Sequence, residues 1–430
     1  MALTWRFLVL TVLAAIPIAL RPVSTTFAVM IGLLLIAGLL DWLAAPGIRA
    51  LGFQRTPGPR IRLGEETSAV LTITNGGRRT RRLHVRDAWA PTAGAHDNRF
   101  RTRVRGGSAH ERTTVLTPTR RGMLRADRVT VRSTSLLGLV ARQRSLEVPA
   151  AITVLPPFHS RRHLPSKLRR LRELEGRTAV MLKGAGTEFD SLREYVRGDD
   201  VRSIDWRATA RAQEVMVRTY RPERDRRVII VLDSSRLSAR YVGTGTAFDA
   251  AIESALLLAG LAAGAGDRVD VLVADARVRA RVGPIGRLAS LDHLMHRVTP
   301  LAPELLEADW ETITSAVMGV TSHRALVVFV TALDPATIAE DLLPTLPLLT
   351  RRHMVAIASV ADPVLNDMTS ARFTTEQVYT AAAAERELLE SRSLSHALSG
   401  LGVHSVHEAP DDLPPALADL YIMLKSSGRL

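Results

Sequence analysis

Cysteine is absent from all 430 residues, which excludes disulfides, thiolate zinc sites and thiol nucleophiles. The chain must therefore hold itself together by apolar cores alone, and its length is enough for two or three domains that each bury one. Lysine is also scarce. Lys167, Lys183 and Lys425 are the only three among 57 basic side chains, so the formal charge of +14 is carried by arginine spread through most of the chain. Aromatic residues make up only 4%. A nucleic-acid binder gathers its cations on one face and interleaves stacking rings, so no nucleic-acid partner is expected. Catalytic signatures are missing as well. There is no Gly-x-Ser-x-Gly elbow, phosphate-loop lysine or dinucleotide glycine fingerprint, and Gly184-Ala185-Gly186-Thr187 is too short to be one. His293 and His296 sit at metal spacing on one helix face without a third ligand. His404 and His407, three apart on a strand, point to opposite faces.

Two apolar runs open the chain. Residues 27–45 are close to the ~20 needed to cross a bilayer core as a helix. Residues 7–20 are shorter and span only if residues 3–6 join them and Arg6 snorkels to the interface; Pro17 kinks that helix near one end. Arg21-Pro22 and the polar residues after it form the turn of a hairpin. Arg21 alone lies in that turn, whereas Arg6, Arg49, Arg55, Arg60 and Arg62 flank the other ends, which predicts an inner (cytoplasmic) membrane protein with two spans and both termini cytoplasmic. A cleaved signal peptide over residues 1–20 is the competing reading, but no small-x-small site precedes Arg21. Trp5 and Trp42 are placed at the interfaces or packed within the hairpin.

Residues 61–155 lose the helical period and alternate in short runs at 69–74, 113–116, 129–132 and 152–155, punctuated by Asn75-Gly76-Gly77, Pro91, Gly106-Gly107, Gly122 and Gly138. This pattern predicts a small antiparallel β-sandwich. Residues 159–177 are strongly basic and read as a linker entering a short helix whose stripe Leu164, Leu168, Leu171 and Leu174 faces a core.

The densest information lies in GTEFDSLREYVRGDDVRSIDWRATARAQEVMVR, residues 186–218. Nine acids and eight arginines occur between Glu188 and Asp225, around Tyr195, Trp206 and Tyr220. Signs this nearly balanced predict internal ion pairing into one polar surface. Asp199, Asp200 and Asp205 could instead hold a hydrolytic metal, but pairing with Arg202, Arg207 and Arg211 is the simpler expectation.

From residue 227 onward, apolar runs at 228–232, 268–274, 325–330, 354–359 and 403–406 alternate with helical stretches at 246–263, 288–297, 310–320, 336–350, 380–398 and 415–424. A mostly parallel sheet covered on both faces follows, with 278–282 as an antiparallel edge.

The polar stretch followed by RVIIVLDSSRLS resembles the bacterial domain of unknown function (DUF) 58 family over roughly residues 119–334, including the turn at Thr119-Arg120-Arg121-Gly122 and Leu137-Gly138-Leu139. That resemblance implies an α/β protein with a von Willebrand factor A-like (Rossmann-like), three-layer C-terminal domain, and partnership with a MoxR-type AAA+ ATPase in envelope assembly or complex maturation. The adhesion site of the von Willebrand A fold takes magnesium on Asp-x-Ser-x-Ser plus a later Thr and Asp. Asp233 and Ser235 match the first two positions, Leu237 replaces the third, no threonine occurs at 301–309, and Thr331 or Ala332 replaces the acid. The expected organisation is a transmembrane hairpin (1–45), a β-sandwich (60–157), a basic linker and polar segment (158–226) and the α/β domain (227–430). The expected role is a non-catalytic, membrane-anchored adaptor with no cofactor. Arg193, Asp199, Asp200, Asp205 and Trp206 are its contact residues, Asp233 and Ser235 a degenerate magnesium site, and a metal-dependent hydrolase on Asp199, Asp200 and Asp205 the alternative.

Overall fold

A computed structural model of the chain describes residues 2–135, 137–181, 188–197, 199–221, 226–286, 291–334, 338–370 and 372–430. The stretch 184–187, Asp225 and the first residues of the helices expected at 288 and 336 lie outside the described residues. The chain divides into two compact units, Met1–Pro157 and Phe158–Leu430.

The first unit opens with helices α1 (Trp5–Leu20) and α2 (Ser24–Ala44). α2 is long and apolar enough to cross a membrane, and only 11% of its most apolar window is buried; α1 is a shorter apolar helix carrying Pro17. Strands β1 (Leu51–Pro57), β2 (Thr67–Asn75), β3 (Arg81–Trp89), β4 (Arg99–Val104), β5 (Ala109–Leu116), β6 (Gly122–Thr134) and β7 (Val140–Leu155) follow. They form one sheet in the order β1-β2-β5 and another in the order β7-β6-β3-β4, these strands pairing antiparallel, while the short segments Ala2–Leu3 and Ile61–Arg62 add to β7, the latter in parallel. Because side chains alternate along a strand, Leu71 and Ile73 from one sheet meet Leu83, Val85, Val129 and Val131 from the other in a single core. One polar feature crosses that core. Arg55 and Asp87 are fully buried and ion-paired, and Asp87 also accepts from Trp89 Nε1 at 3.0 Å. Burial of both charges demands this degree of satisfaction.

A second polar feature joins helix to sandwich. Asp41, at the end of apolar α2, is buried and accepts from the backbone amides of Leu139 at 2.7 Å and Val140 at 2.8 Å and from the Ser135 hydroxyl. Gly138, at φ 66°, supplies the left-handed turn on the same loop. Thr4 caps the start of α1 against that loop, donating from Oγ1 to Gly138 O at 2.6 Å, while the Arg142 guanidinium lies over the Trp42 ring at 4.8 Å.

The second unit begins with α3 (Leu164–Met181), whose Leu164 and Leu171 are buried and whose Leu168 and Leu174 pack against the same core, as the leucine stripe predicts. Next come strand β8 (Glu188–Glu194), helix α4 (Trp206–Ala212) and strand β9 (Met216–Arg221). The rest alternates: β10 (Arg227–Asp233), α5 (Ala247–Gly264), β11 (Arg268–Ala274), β12 (Val278–Ile285), α6 (Leu291–Val298), α7 (Trp310–Met318), β13 (Leu326–Val330), α8 (Leu346–Thr350), β14 (Met354–Val360), α9 (Pro363–Ser370), α10 (Thr375–Gly400), β15 (His404–Glu408) and α11 (Leu413–Ser426). The sheet runs β12-β11-β10-β13-β14-β15, parallel except for the antiparallel edge β12. Alternate residues of β10 feed two cores, Val228, Ile230 and Leu232 into one and Ile229 and Val231 into the other, so both faces of the sheet are covered. α5 is as long and apolar as a membrane span, but 78% of it is buried, which makes it the central core helix. α11 is held by the buried Lys425, whose Nζ lies 2.7 Å from Asp267 Oδ1.

One expected helix is broken. From Ile338 onward the described residues form a π turn at Ile338–Leu342 and then the short α8. Pro344 and Pro347 lack the N–H groups that a continuous helix needs there.

Candidate functional site

Residues 188–221 fold locally as an antiparallel hairpin, β8 against β9, with α4 and a 3-10 turn (Val201–Ser203) on the connection. The acids build this shape. Asp199 takes a two-pronged pair from Arg193, with Nη1 and Nη2 each 2.7 Å from a carboxylate oxygen, and also accepts from Val196 N at 3.0 Å. Asp200 caps the 3-10 turn by accepting from Arg202 N at 2.9 Å. Asp205 caps α4 through Arg207 N at 2.9 Å and Ala208 N at 3.0 Å and meets Arg218 Nε at 2.8 Å. The Ala208 amide, followed by the Arg218 guanidinium, holds the Asp205 carboxyl below its ordinary range. Opposite strand ends bring Glu194 and Glu214 together, which pushes Glu214 upward.

The expectation of internal ion pairing therefore holds, but its partners need correcting. Arg193 on β8 and Arg218 on β9 carry the side-chain pairing expected of Arg202, Arg207 and Arg211; Arg202 and Arg207 contribute backbone amides instead. Asp199 and Asp205 both lie on the connection, and the arginines that reach them stand on the two strands that flank it. Beside the pairs Arg193–Asp199 and Arg218–Asp205, the connection turns apolar side chains outward. Trp206 is 69% exposed, Val201 65% and Val196 61%, with Tyr195 also exposed.

The second sequence candidate lies at the carboxyl edge of the sheet. After β10 the chain proceeds to β11 on one side, then returns to β13 on the other, so the order reverses between β10 and β13. Open α/β sheets place ligands at such a point. Asp233 ends β10 and is 1% exposed. Its Oδ2 accepts from Thr331 Oγ1, just past β13, at 2.6 Å, and its Oδ1 from Ser235 N at 2.8 Å. Burial pushes its carboxyl pKa up despite these bonds. Beside it Ser234 donates to buried Asp275 at 3.0 Å, and Arg279 bridges Asp275 and Glu304. The loop after α6 closes over the strand ends, with Glu304 N on Ser234 O and Arg236 N on Leu306 O, both at 2.9 Å. It leaves Leu305 82% exposed.

The structure thus brings Asp233, Ser235 and Thr331 together, and Leu237 offers no oxygen at the third motif position. Each Asp233 oxygen accepts a protein donor. Among the described residues no three His, Cys, Asp or Glu side chains are grouped for a metal ion. His293 and His296 lie on the exposed face of α6. Sequence reasoning missed Asp275, whose only signal was its place directly after an apolar strand.

Comparison with known proteins places this second unit. The family described as "Protein of unknown function DUF58" matches residues 191–372. Uncharacterized proteins of Mycobacterium bovis and Mycobacterium tuberculosis are 29% identical over 198 residues, a match covering 44% of this chain and 60% of each relative's length. Among solved structures, the conserved hypothetical protein BatB of Bacteroides thetaiotaomicron overlaps 46% of this chain and 99% of its own at 15% identity and a TM-score of 0.29. A FixG-related protein of Vibrio parahaemolyticus overlaps 24% and 96%, respectively, at 10% identity and 0.19. Overlaps at these scores carry no argument. Residues 191–372 thus carry a likeness to the DUF58 family, and the mycobacterial relatives share 29% identity over a stretch of similar length.

Proposed function

We propose that this chain is a non-catalytic adaptor, anchored in the cytoplasmic membrane by α1 and α2 with both termini inside, whose 188–221 hairpin and sheet-edge loops receive a MoxR-type AAA+ ATPase during envelope assembly or complex maturation. The second unit then acts as a von Willebrand A-like recognition module that works without a resident cation. One observation carries this reading. The hairpin pairs Asp199 with Arg193 and Asp205 with Arg218 and presents Trp206, Val201 and Val196 to solvent. Exposed apolar groups rimmed by satisfied polar ones mark binding surfaces, and tryptophan is the side chain most enriched at their energetic centres.

The competing hydrolase needs Asp199, Asp200 and Asp205 free to share a metal. Each instead caps a turn or accepts from arginine or backbone amides, which leaves the reading without a constellation. Alanine at both Asp205 and Trp206 is expected to abolish co-purification with the ATPase while the chain still inserts in the membrane. Unchanged co-purification contradicts the adaptor. Stoichiometric divalent metal in purified protein favours the hydrolase or a working adhesion site.

A further inference from the structure

A cavity of about 580 Å³ opens beyond the carboxyl ends of β13, β14 and β15, walled by the 3-10 turn Arg236–Ala239 on one side and α9 and α10 on the other. That volume lies within the range of small-molecule sites. Its walls hold two buried nitrogen atoms without a hydrogen-bond partner, Arg240 Nε and His407 Nδ1. Arg240 is fixed in place, with Nη2 donating to Val360 O at 2.9 Å and Nη1 no nearer than 4.0 Å to Glu387. Burial, reinforced by the Arg240 charge, lowers the His407 pKa, so the ring is neutral at pH 7 and can carry its proton on Nδ1. Two buried donors left open are costly unless an acceptor arrives to take both. The remaining lining is mixed. Charges of both signs line it, Arg236 and Arg386 as well as Asp334, Asp362, Glu387 and Glu390, so it suits a ligand that carries both an ammonium and a carboxylate, while Leu333 and Leu365 suit an apolar side chain.

We infer that this cavity binds a short peptide with a free carboxyl terminus, the carboxylate on Arg240 and His407, the ammonium toward Asp334 and Asp362, and an apolar side chain against Leu333 and Leu365. Among the described residues the 188–221 hairpin lends none to the cavity wall, which the loops after β10 and β13 help to form, so peptide binding can be read out whether or not the hairpin holds an ATPase.

Calorimetric titration of the full chain in detergent with the tripeptide Ala-Leu-Ala tests it. Saturable binding at about 0.1–1 mM is expected, a modest affinity of roughly 4–5.5 kcal/mol. The C-terminal amide of the same peptide should bind at least about tenfold more weakly, as should the Arg240→Gln and Ala383→Trp variants, a difference of roughly 1.4 kcal/mol. Ala383 is exposed on α10, so tryptophan there narrows the cavity without entering the core and decides the matter even if Arg240→Gln misfolds. No saturable binding, equal affinity for the amide, undiminished binding by Ala383→Trp, or displacement of the peptide by equimolar inorganic phosphate would each overturn the inference.

Discussion

Single carboxyl groups in this chain work in opposite directions. Asp205 is held low by the Ala208 amide and Arg218, so its folded pKa lies beneath its unfolded one. Its contribution is then complete above the ordinary carboxylate range and is lost as the pH falls through the depressed value. Protection of the Arg207 and Ala208 amides from hydrogen exchange, corrected for intrinsic rates, should decline across that acid window, and protection independent of pH there would contradict the cap. Asp233 behaves in reverse. Its carboxyl is raised by burial, the folded state binds the proton more tightly, and stability declines as the pH rises from the unfolded value toward the folded one. Asn at this position can accept from Ser235 N and donate to Thr331 Oγ1, so Asp233→Asn keeps both bonds and removes the buried charge. A stabilisation of about 1 kcal/mol, or roughly 2–4 °C in the midpoint of thermal unfolding, is expected for a domain of this size. A lower midpoint would mean that the carboxylate itself, or a cation on it, is needed.

At the scale of elements, what the sequence made legible was period, and what it concealed was partnership across distance. The continuous apolar run of β10 and the leucines of α3 declare their buried sides because burial on two faces or one leaves a plain pattern. The hairpin of residues 188–221 showed its polar, ion-paired nature but not its strands, since its cross-strand neighbours are ordered by a reversal that no local spacing records. Asp41 is a similar case. As a single acid near the end of an apolar run it gave no sign that Ser135, Leu139 and Val140 would converge on it, because those donors are about a hundred residues away. Asp41→Ala removes the acceptor from three donors, and orphaned buried donors cost about 1–3 kcal/mol each. Faster proteolytic cleavage within the 135–140 loop in detergent is the expected result; unchanged cleavage would show that the loop is held by other contacts.

For the molecule as a whole, α1 and α2 expose apolar side chains along most of their length, among them Leu8, Leu13, Leu33, Leu35 and Leu40. Such a surface calls for lipid or another apolar cover. The second unit answers with the opposite design. It buries its own long apolar helix α5 between sheet and neighbouring helices, while its hairpin and sheet-edge loop expose apolar groups, among them Trp206, Val201 and Leu305. On the proposed reading, α1 and α2 hold the chain in lipid and Trp206 stands on the surface offered to the partner. The most direct test replaces Trp206 with a photo-crosslinking phenylalanine analogue in living cells and identifies the adduct. The account predicts a covalent product with a MoxR-type AAA+ ATPase, and a light-exposed chain that yields no protein adduct, or only adducts with lipid or with itself, would contradict it.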